Sequence, residues 1–166
     1  MEKSKIDEIY RKHATMIYKY LWGLAQDTQL AEELTQETFF QAIKGIDKFR
    51  GDCKVSTWLC QIAKNLWYKE LERRNKHKTV ELNDSILSNE NVEYYCLNHM
   101  EKIEIFRLMH KLLDEATREV MYLRLGGDLH FSEIADILGK TENWARVTYY
   151  RGKQKIMKGM KEWTEN

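Results

Sequence analysis

Apolar residues recur at three- and four-residue steps along most of the chain, a spacing that places them on one face of an α-helix. The first such stripe covers Ile6–Leu24, and a second helix is predicted over Thr28–Asp47, with Asp27 or Thr28 as its N-cap. A third is predicted from Thr57 to about Lys78, with Ser56 as its cap. Because strand-like alternation is almost absent, the pattern predicts an all-α protein.

Helical spacing also marks the second part of the chain, over Cys96–Leu112 and, after a short break, Thr117–Gly127. A short pattern at Phe131–Leu138 ends at Gly139, a C-cap candidate. Thr141 then caps a basic helix that runs to about Met160. A short helix, a tight glycine turn and a capped basic helix are typical of a helix-turn-helix that binds DNA.

A polar, Asn/Ser/Glu-rich stretch separates these two sets of helices and is weakly periodic. It is interpreted as a flexible linker over residues 79–97. The chain is therefore predicted to form two small helical domains, residues 1–78 and 98–166, with no further domain after Asn166.

Composition narrows the class of protein. Of the 166 residues, 43% are hydrophobic and 32% charged, the net charge is +1 and the pI is about 7.7. A protein that only coats nucleic acid is usually more basic, so local basic patches offset by acidic ones are expected. No apolar run approaches the ~20 residues that span a bilayer. The N-terminal residues lack a secretory signal, so a cytoplasmic location is expected.

Catalytic and metal chemistry find little support in the sequence. The three cysteines form no C-x-x-C pair, and Cys96 with His99 lacks a second ligand pair. The run Gly139-Lys140-Thr141 imitates a P-loop ending, but Ile134 stands where that motif needs glycine. No nucleophile–base pair or paired carboxylates stand out. The chain is predicted to be no enzyme, with no metal, cofactor or small-molecule substrate.

Three polar faces are candidates for binding. On the second helix an acidic face is either solvated surface, which charge alone favours, or a dock for a basic partner. On the third, basic residues alternate with Trp58, Trp67 and Tyr68, which suits single-stranded nucleic acid unless the tryptophans are core. On the last helix, Arg146 and Arg151 suit contacts to a DNA major groove.

Two blocks of sequence together resemble one family. The run AEELTQETFFQA from Ala31, FRGD from Phe49 and STWLCQIAKNL from Ser56 resemble region 2 of extracytoplasmic-function sigma factors of the sigma-70 family. The runs REVMYLRLGG from Arg118 and FSEIADILG from Phe131, with the helix Trp144–Lys153, resemble their region 4. The resemblance implies a factor that binds core RNA polymerase, recognises a promoter and melts its −10 element.

The resemblance assigns roles to particular residues. The implied partner is core polymerase, with its β′ and β subunits. The residues implied to dock on β′ are Glu32, Glu33, Leu34, Gln36, Glu37 and Phe40. Those implied to bind the opened −10 strand are Phe49, Arg50, Lys54, Trp58, Lys64, Asn65, Lys69, Arg73 and Arg74. Those implied to bind the −35 duplex are Thr141, Asn143, Arg146, Val147, Tyr150, Arg151 and Lys153. Acidic residues implied to mimic nucleic acid in the linker are Glu81, Asp84, Glu90 and Glu93.

The resemblance has departures and implies one further partner. Relatives often carry Ser and Arg where this chain has Val147 and Thr148, so an unusual −35 sequence is expected. Most such factors are held by an anti-sigma protein, often membrane-anchored. The competing interpretation is a stand-alone dimeric helix-turn-helix regulator, which explains 131–155 but gives the first block no role.

Overall fold

The part of the chain that the structure describes is almost entirely helical. The computed structural model describes residues 2–77, 100–127 and 129–165. Its α-helices are α1 (Glu2–Ala25), α2 (Thr28–Gly45), α3 (Val55–His77), α4 (Met100–Leu112), α5 (Glu115–Gly127), α6 (Phe131–Leu138) and α7 (Glu142–Thr164). A 3₁₀ turn, Ile46–Lys48, follows α2. No strand occurs within these described ranges, which confirms the all-α prediction.

Three of the predicted helix caps are confirmed by hydrogen bonds or backbone angles. The Leu30 amide donates to the Asp27 carboxylate at 3.1 Å, and the Trp144 amide donates to the Thr141 hydroxyl at 3.1 Å. Gly139 ends α6 at φ 65°, in the left-handed region that glycine enters without strain. These caps fix both ends of the helix-turn-helix turn.

Two predicted helix starts are wrong by two residues. α3 begins at Val55, because the Lys54 carbonyl already accepts from the Trp58 amide at 3.0 Å, so Ser56 lies inside the first turn instead of capping it. α5 begins at Glu115, where the Asp114 carboxylate accepts from the Thr117 amide at 2.7 Å. α5 therefore has its cap at Asp114, nearer the preceding turn than predicted.

Part of the predicted organisation falls outside the described residues. The linker at 79–97, its acidic residues Glu81, Asp84, Glu90 and Glu93, and the Cys96–His99 spacing all lie there. Below, "front half" denotes residues 2–77 with α1–α3, and "back half" denotes residues 100–165 with α4–α7.

α1 lies at the centre of the packing, since it contacts α2 and α3 of the front half and α5 of the back half. α3 also contacts α6, while α7 packs on α4, α5 and α6. The buried side chains form one continuous apolar cluster through both halves. Its fully buried members include Ile17, Leu21, Leu59, Ala63, Val120, Leu123, Ile134, Ile137 and Ala145.

None of the helices in the described ranges is both long and apolar enough to span a bilayer.

Candidate functional site

The outer side of α2 carries the first candidate surface. Glu32, Glu33 and Gln36 are exposed, and Glu37 is half-buried. Phe40 extends the same surface with 49% of its area exposed, and the Lys44 ammonium lies 4.2 Å from the centre of its ring. We call the set Glu32, Glu33, Gln36, Glu37 and Phe40 the acidic–aromatic face.

The inner side of α2 explains why this surface is presented outward. Leu34 is only 8% exposed and belongs to the core. The Thr35 and Thr38 hydroxyls are buried and donate to the carbonyls of Ala31 and Leu34 one turn earlier. The structure therefore places Leu34, predicted among the polymerase-binding residues, beneath the acidic–aromatic face, where it supports that face without forming it.

An aromatic pair stands at the loop before α3. Phe49 and Trp58 stack with ring centroids 4.7 Å apart and planes inclined by 28°. Both rings are partly exposed, whereas Trp67 is 5% exposed and belongs to the core. Between them Gly51 adopts φ 77° and Arg50 is exposed. Of the tryptophans that alternate with basic residues, only Trp58 is therefore placed to meet a ligand.

The exposed side of α3 carries Asn65, Lys69, Arg73 and Arg74. Both arginines pair with Glu70, whose oxygens lie 2.6 Å from Arg73 Nη2 and 3.0 Å from Arg74 Nε. The Arg73 hydrogen bond, with the help of Arg74, lowers the pKa of Glu70 to about 2. A phosphate that approached these arginines would compete with an ionised carboxylate.

Two other residues predicted to bind opened DNA contact the back half. The Lys64 ammonium donates to the Ile137 carbonyl in the last turn of α6. Lys54 pairs with Glu133 at 2.8 Å, although the lysine side chain is 65% exposed. An exposed pair of this kind contributes at most about 1 kcal/mol. Lys64 and Lys54 are thus occupied in this arrangement, whereas Asn65 and Lys69 are open to solvent.

The helix-turn-helix presents the third candidate surface. The predicted −35 residues on α7 are exposed, with Val147 at 36% and Tyr150 at 50%. The others are Asn143, Arg146, Arg151 and Lys153, and the capping residue Thr141 is exposed as well. On the opposite side of α7, Ala145 and Ile156 are buried against the rest of the back half. The polar side of the helix is therefore free to lie in a groove.

Gly152 allows α7 to approach α5 closely. A Cβ added there would lie 2.7 Å from Thr117 Cγ2 and 2.8 Å from Met121 Sδ. Both distances are shorter than carbon–carbon or carbon–sulfur contacts allow, so the position requires glycine or a shift of α5. The same turn of α7 carries Arg151 and Lys153, whose placement depends on this contact.

Several supporting residues were missed by the sequence analysis. Arg146 pairs with Glu142 at 2.8 Å, and its guanidinium lies 5.5 Å from the Phe131 ring centre. Arg124 lies on that same ring at 4.7 Å. Ring contacts of cations are set by helix packing, and only the i,i+4 spacing of Glu142 and Arg146 was visible in the sequence.

A shallow cleft adjoins this surface, where the start of α5 meets α7. Its basic lining is Arg151, Lys155 and Lys158, and Asp114 and Thr117 line the opposite side. The sequence singled out Lys155 as a polar residue of this helix but did not single out Lys158. Their spacing along α7 continues the basic side of the helix toward its C-terminus, which suits contacts with a phosphate backbone.

A metal site is not formed by the residues described. Within 2–77, 100–127 and 129–165, no group of three or more His, Cys, Asp or Glu side chains is arranged to hold a metal ion.

Comparison with known proteins shows what this chain is similar to. Residues 9–77 match the sigma-70 region 2 family. The chain is 28% identical to the RNA polymerase sigma factor YlaC of Bacillus subtilis over 95% of this chain and 93% of that protein. It is 27% identical to the ECF RNA polymerase sigma factor SigM of the same organism, over 91% and 92% of the two chains.

A solved structure shares the whole fold. The sigma factor RpoE of Bartonella quintana, crystallised in complex with the anti-sigma factor NepR, superposes with a TM-score of 0.77 at 15% identity. The match covers 95% of this chain and 97% of that one. These relatives are sigma factors, which are transcription initiation factors and not enzymes. Along nearly its whole length, the chain is similar to extracytoplasmic-function sigma factors.

Proposed function

We propose that this chain acts as a sigma factor and binds core RNA polymerase through α2. The loop before α3, together with α3 itself, captures the opened −10 strand, and α7 reads the −35 duplex. The observation that carries the proposal is the exposure, on one chain, of the acidic–aromatic face and of a polar recognition helix. The proposal keeps the predicted boundaries, with one domain at residues 1–78, a linker at 79–97 and a second domain at 98–166.

The acidic–aromatic face has the composition of a docking surface. An exposed aromatic ring on the same surface as carboxylates offers both an anchor that a partner can bury and charge complementarity to a basic partner. Glu33 and Glu37 are held in place by hydrogen bonds from Gln29 at 3.2 Å and Gln41 at 2.6 Å. We assign this face to the β′ subunit of the polymerase.

The −10 element is assigned to the Phe49–Trp58 stack and the exposed side of α3. A flipped base loses stacking worth a few kcal/mol, which an aromatic platform and a shaped pocket recover. Asn65 offers both a donor and an acceptor to a base edge, and Lys69 offers a charge to the phosphates. Arg73 and Arg74 join them by exchanging the Glu70 carboxylate for DNA phosphate.

The −35 element is assigned to α7. Arg146 and Arg151 present guanidinium groups that fit the acceptor pair on guanine in the major groove. Lys153 and the cleft lysines Lys155 and Lys158 lie farther along the helix, where the duplex backbone passes. Val147 offers only an apolar contact such as a thymine methyl group, so the preferred sequence differs from that of relatives with serine there.

An anti-sigma protein is proposed as the regulatory partner. The support is the similarity in fold to a sigma factor crystallised with the anti-sigma factor NepR. Co-purification from native cells tests it. Recovery of a further partner besides polymerase under resting conditions is expected, and recovery of polymerase subunits alone, in resting and stressed cells, contradicts it. Fractionation of that partner tests whether it is membrane-anchored.

The main test is transcription from a random promoter library with core polymerase, in the presence and absence of this chain. Run-off products that depend on the chain, with shared −10 and −35 sequences, are the expected result. The selected promoters also provide the DNA for the variant experiments. A library that yields no chain-dependent product, although the chain binds core, would refute promoter recognition.

Arg151→Ala is expected to weaken binding to the selected −35 duplex by about 1–3 kcal/mol, because a bidentate contact to a base edge is lost. Fluorescence anisotropy at fixed salt measures the affinity. Discrimination should relax at one base position. Lys12→Ala, an exposed cation on α1, is the control and should leave the affinity unchanged. Uniform weakening across all sequences would show that Arg151 contacts only phosphate.

Asn65→Ala is expected to impair −10 opening while core binding is retained, because the side chain is exposed on α3 and absent from the acidic–aromatic face. Permanganate reactivity of unpaired thymines in the holoenzyme–promoter complex measures the opening. Asn75→Ala, an exposed asparagine farther along the same helix, is the matched control. Loss of core affinity in the Asn65 variant would contradict this division of roles.

A further inference from the structure

The two arginines of α7 that are assigned to base contacts in the −35 duplex are held differently. The Arg146 guanidinium lies 2.8 Å from Glu142 Oε1 and 5.5 Å from the centre of the Phe131 ring. Arg151 is exposed, and among the side chains that the structure describes none forms an ion pair, hydrogen bond or ring contact with it. The recognition helix therefore presents one arginine that is held in place before DNA binds and one that is not.

The Phe131 ring is itself fixed by its neighbours. It is half-buried, and the ring centres of Tyr149 and Tyr150 on α7 lie 5.5 and 6.1 Å from its own. The Arg124 guanidinium of α5 lies 4.7 Å from the ring centre, and its Nη1 donates to the Leu129 carbonyl at 2.6 Å. The ring is therefore held by α5 and α7 as well as by its own helix, α6.

Glu142 holds the Arg146 guanidinium from within α7. It stands four residues earlier, a spacing that brings two side chains together on one face of a helix. The carboxylate side chain is 53% exposed and the arginine side chain 48%, so the pair lies open to solvent. The hydrogen bond to Glu142 comes from Nη2 alone. The other N–H groups of the guanidinium remain available to the acceptor pair on guanine.

Holding an arginine changes what it can distinguish. A mobile guanidinium can bind a base edge or a nearby phosphate, because both accept hydrogen bonds from it. A neighbouring carboxylate disfavours the phosphate, since like charges repel. An arginine that is ordered in advance also loses less rotamer freedom when it binds. Both effects favour a base contact of fixed geometry.

We propose that Phe131 and Glu142 are positioning residues that make Arg146 the strict reader of one −35 base pair, whereas Arg151 reads a second base pair permissively. This inference rests on the proposed function, because it assigns unequal roles to two arginines that contact the −35 duplex. The ring limits the movement of the Arg146 guanidinium, and the carboxylate disfavours its use on the DNA backbone.

Competition binding of the holoenzyme to promoter fragments with each of the four bases at every −35 position tests this difference. Arg146→Ala and Arg151→Ala identify the position that each arginine reads, as the one where base preference is lost. In the original chain, preference at the Arg146 position should exceed that at the Arg151 position by about tenfold. That factor is the product of a ring contact worth about fivefold and an ion pair worth about twofold.

Phe131→Leu should lower the preference at the Arg146 position about fivefold and leave the Arg151 position unchanged. Phe131→Tyr keeps a ring and should keep the preference. In the Arg146→Ala background, Phe131→Leu should have no further effect at that position, which a general loss of packing would not produce. Circular dichroism verifies folding. If Phe131→Leu does not fold, Phe131→Met replaces it, since methionine fills irregular core space.

Glu142→Gln tests the other contact without disturbing the core. It should bind promoter fragments of every sequence more tightly, because a negative charge is removed beside the DNA. Its preference at the Arg146 position should nevertheless fall about twofold. Asp136→Asn is the charge-matched control, since Asp136 is an exposed carboxylate on α6. It should keep the original preference at both positions.

Three results would overturn the unequal roles. These are equal preference at the two positions in the original chain, loss of preference at both positions in Phe131→Leu, and unchanged preference in Phe131→Leu or Glu142→Gln. Arg146→Ala with every base preference intact would overturn them as well. An original holoenzyme that shows no base preference at any −35 position refutes the proposed function instead.

Discussion

Phe40→Ala is expected to lower the affinity for core RNA polymerase by about 30-fold, which corresponds to about 2 kcal/mol. The ring is 49% exposed on the same surface of α2 as the carboxylates and has a cation, Lys44, on one side. A large aromatic group with this exposure has the character of an interface anchor. Truncation removes area that the polymerase would bury, while the fold, which does not depend on Phe40, is preserved. Titration of labelled chain with core enzyme measures the loss.

Tyr150→Ala provides the matched control. Tyr150 is an exposed aromatic residue of similar accessibility, 50%, but it lies on the recognition helix. The Tyr150 variant should keep its core affinity and lose affinity for the −35 duplex, and the Phe40 variant should do the reverse. Equal losses of core affinity in both would mean that exposed aromatic area, wherever it lies, governs binding to the polymerase.

Leu123→Ala is expected to reduce the free energy of unfolding by about 2–5 kcal/mol. Leu123 lies on α5, is fully buried, and belongs to the cluster that runs through both halves. Truncation removes buried apolar area and leaves a cavity that rigid helices fill only partly. Urea denaturation followed by circular dichroism measures the change.

Leu125→Ala isolates the effect of burial from that of helix propensity. Leu125 stands two residues later on the same helix and is 57% exposed. Its truncation should change the free energy of unfolding by no more than about 0.5 kcal/mol. A large loss in both variants would indicate that α5 itself, and not the packing of Leu123, limits stability.

Local features of this fold were predictable from the sequence, because the interactions that create them are local. Asp27 and Thr141 accept hydrogen bonds from amides three residues ahead. Gly139 adopts a positive φ, which depends only on its own lack of a side chain. The start of α3 was not predicted, since Ser56 has the chemistry of a cap but the helix begins two residues closer to the loop. Capping propensity says which residue types cap a helix well. It does not say which residue the preceding turn places at the capping position.

At the candidate surfaces, too, local features were predictable and features set by packing between helices were not. Exposure of Asn65, Lys69 and Arg151 followed from the helical period. The burial of Leu34 and the engagement of Lys64 did not, because each depends on what another helix places against it. Glu119 of α5 gave no signal at all: the two tyrosines of the front half that donate to its carboxylate are 99 and 51 residues away. A buried carboxylate on an otherwise apolar face is visible only once the halves are assembled.

The close approach of Gly23 to Tyr122 has a consequence for hybrid sigma factors. Exchange of recognition helices between relatives is a natural way to redirect promoter choice, and it treats the two halves as interchangeable parts. In this chain Gly23 of α1 has no side chain, and the Tyr122 ring of α5 occupies the space where one would lie. A transplanted back half forms this contact only if it brings a matching ring at the position of Tyr122.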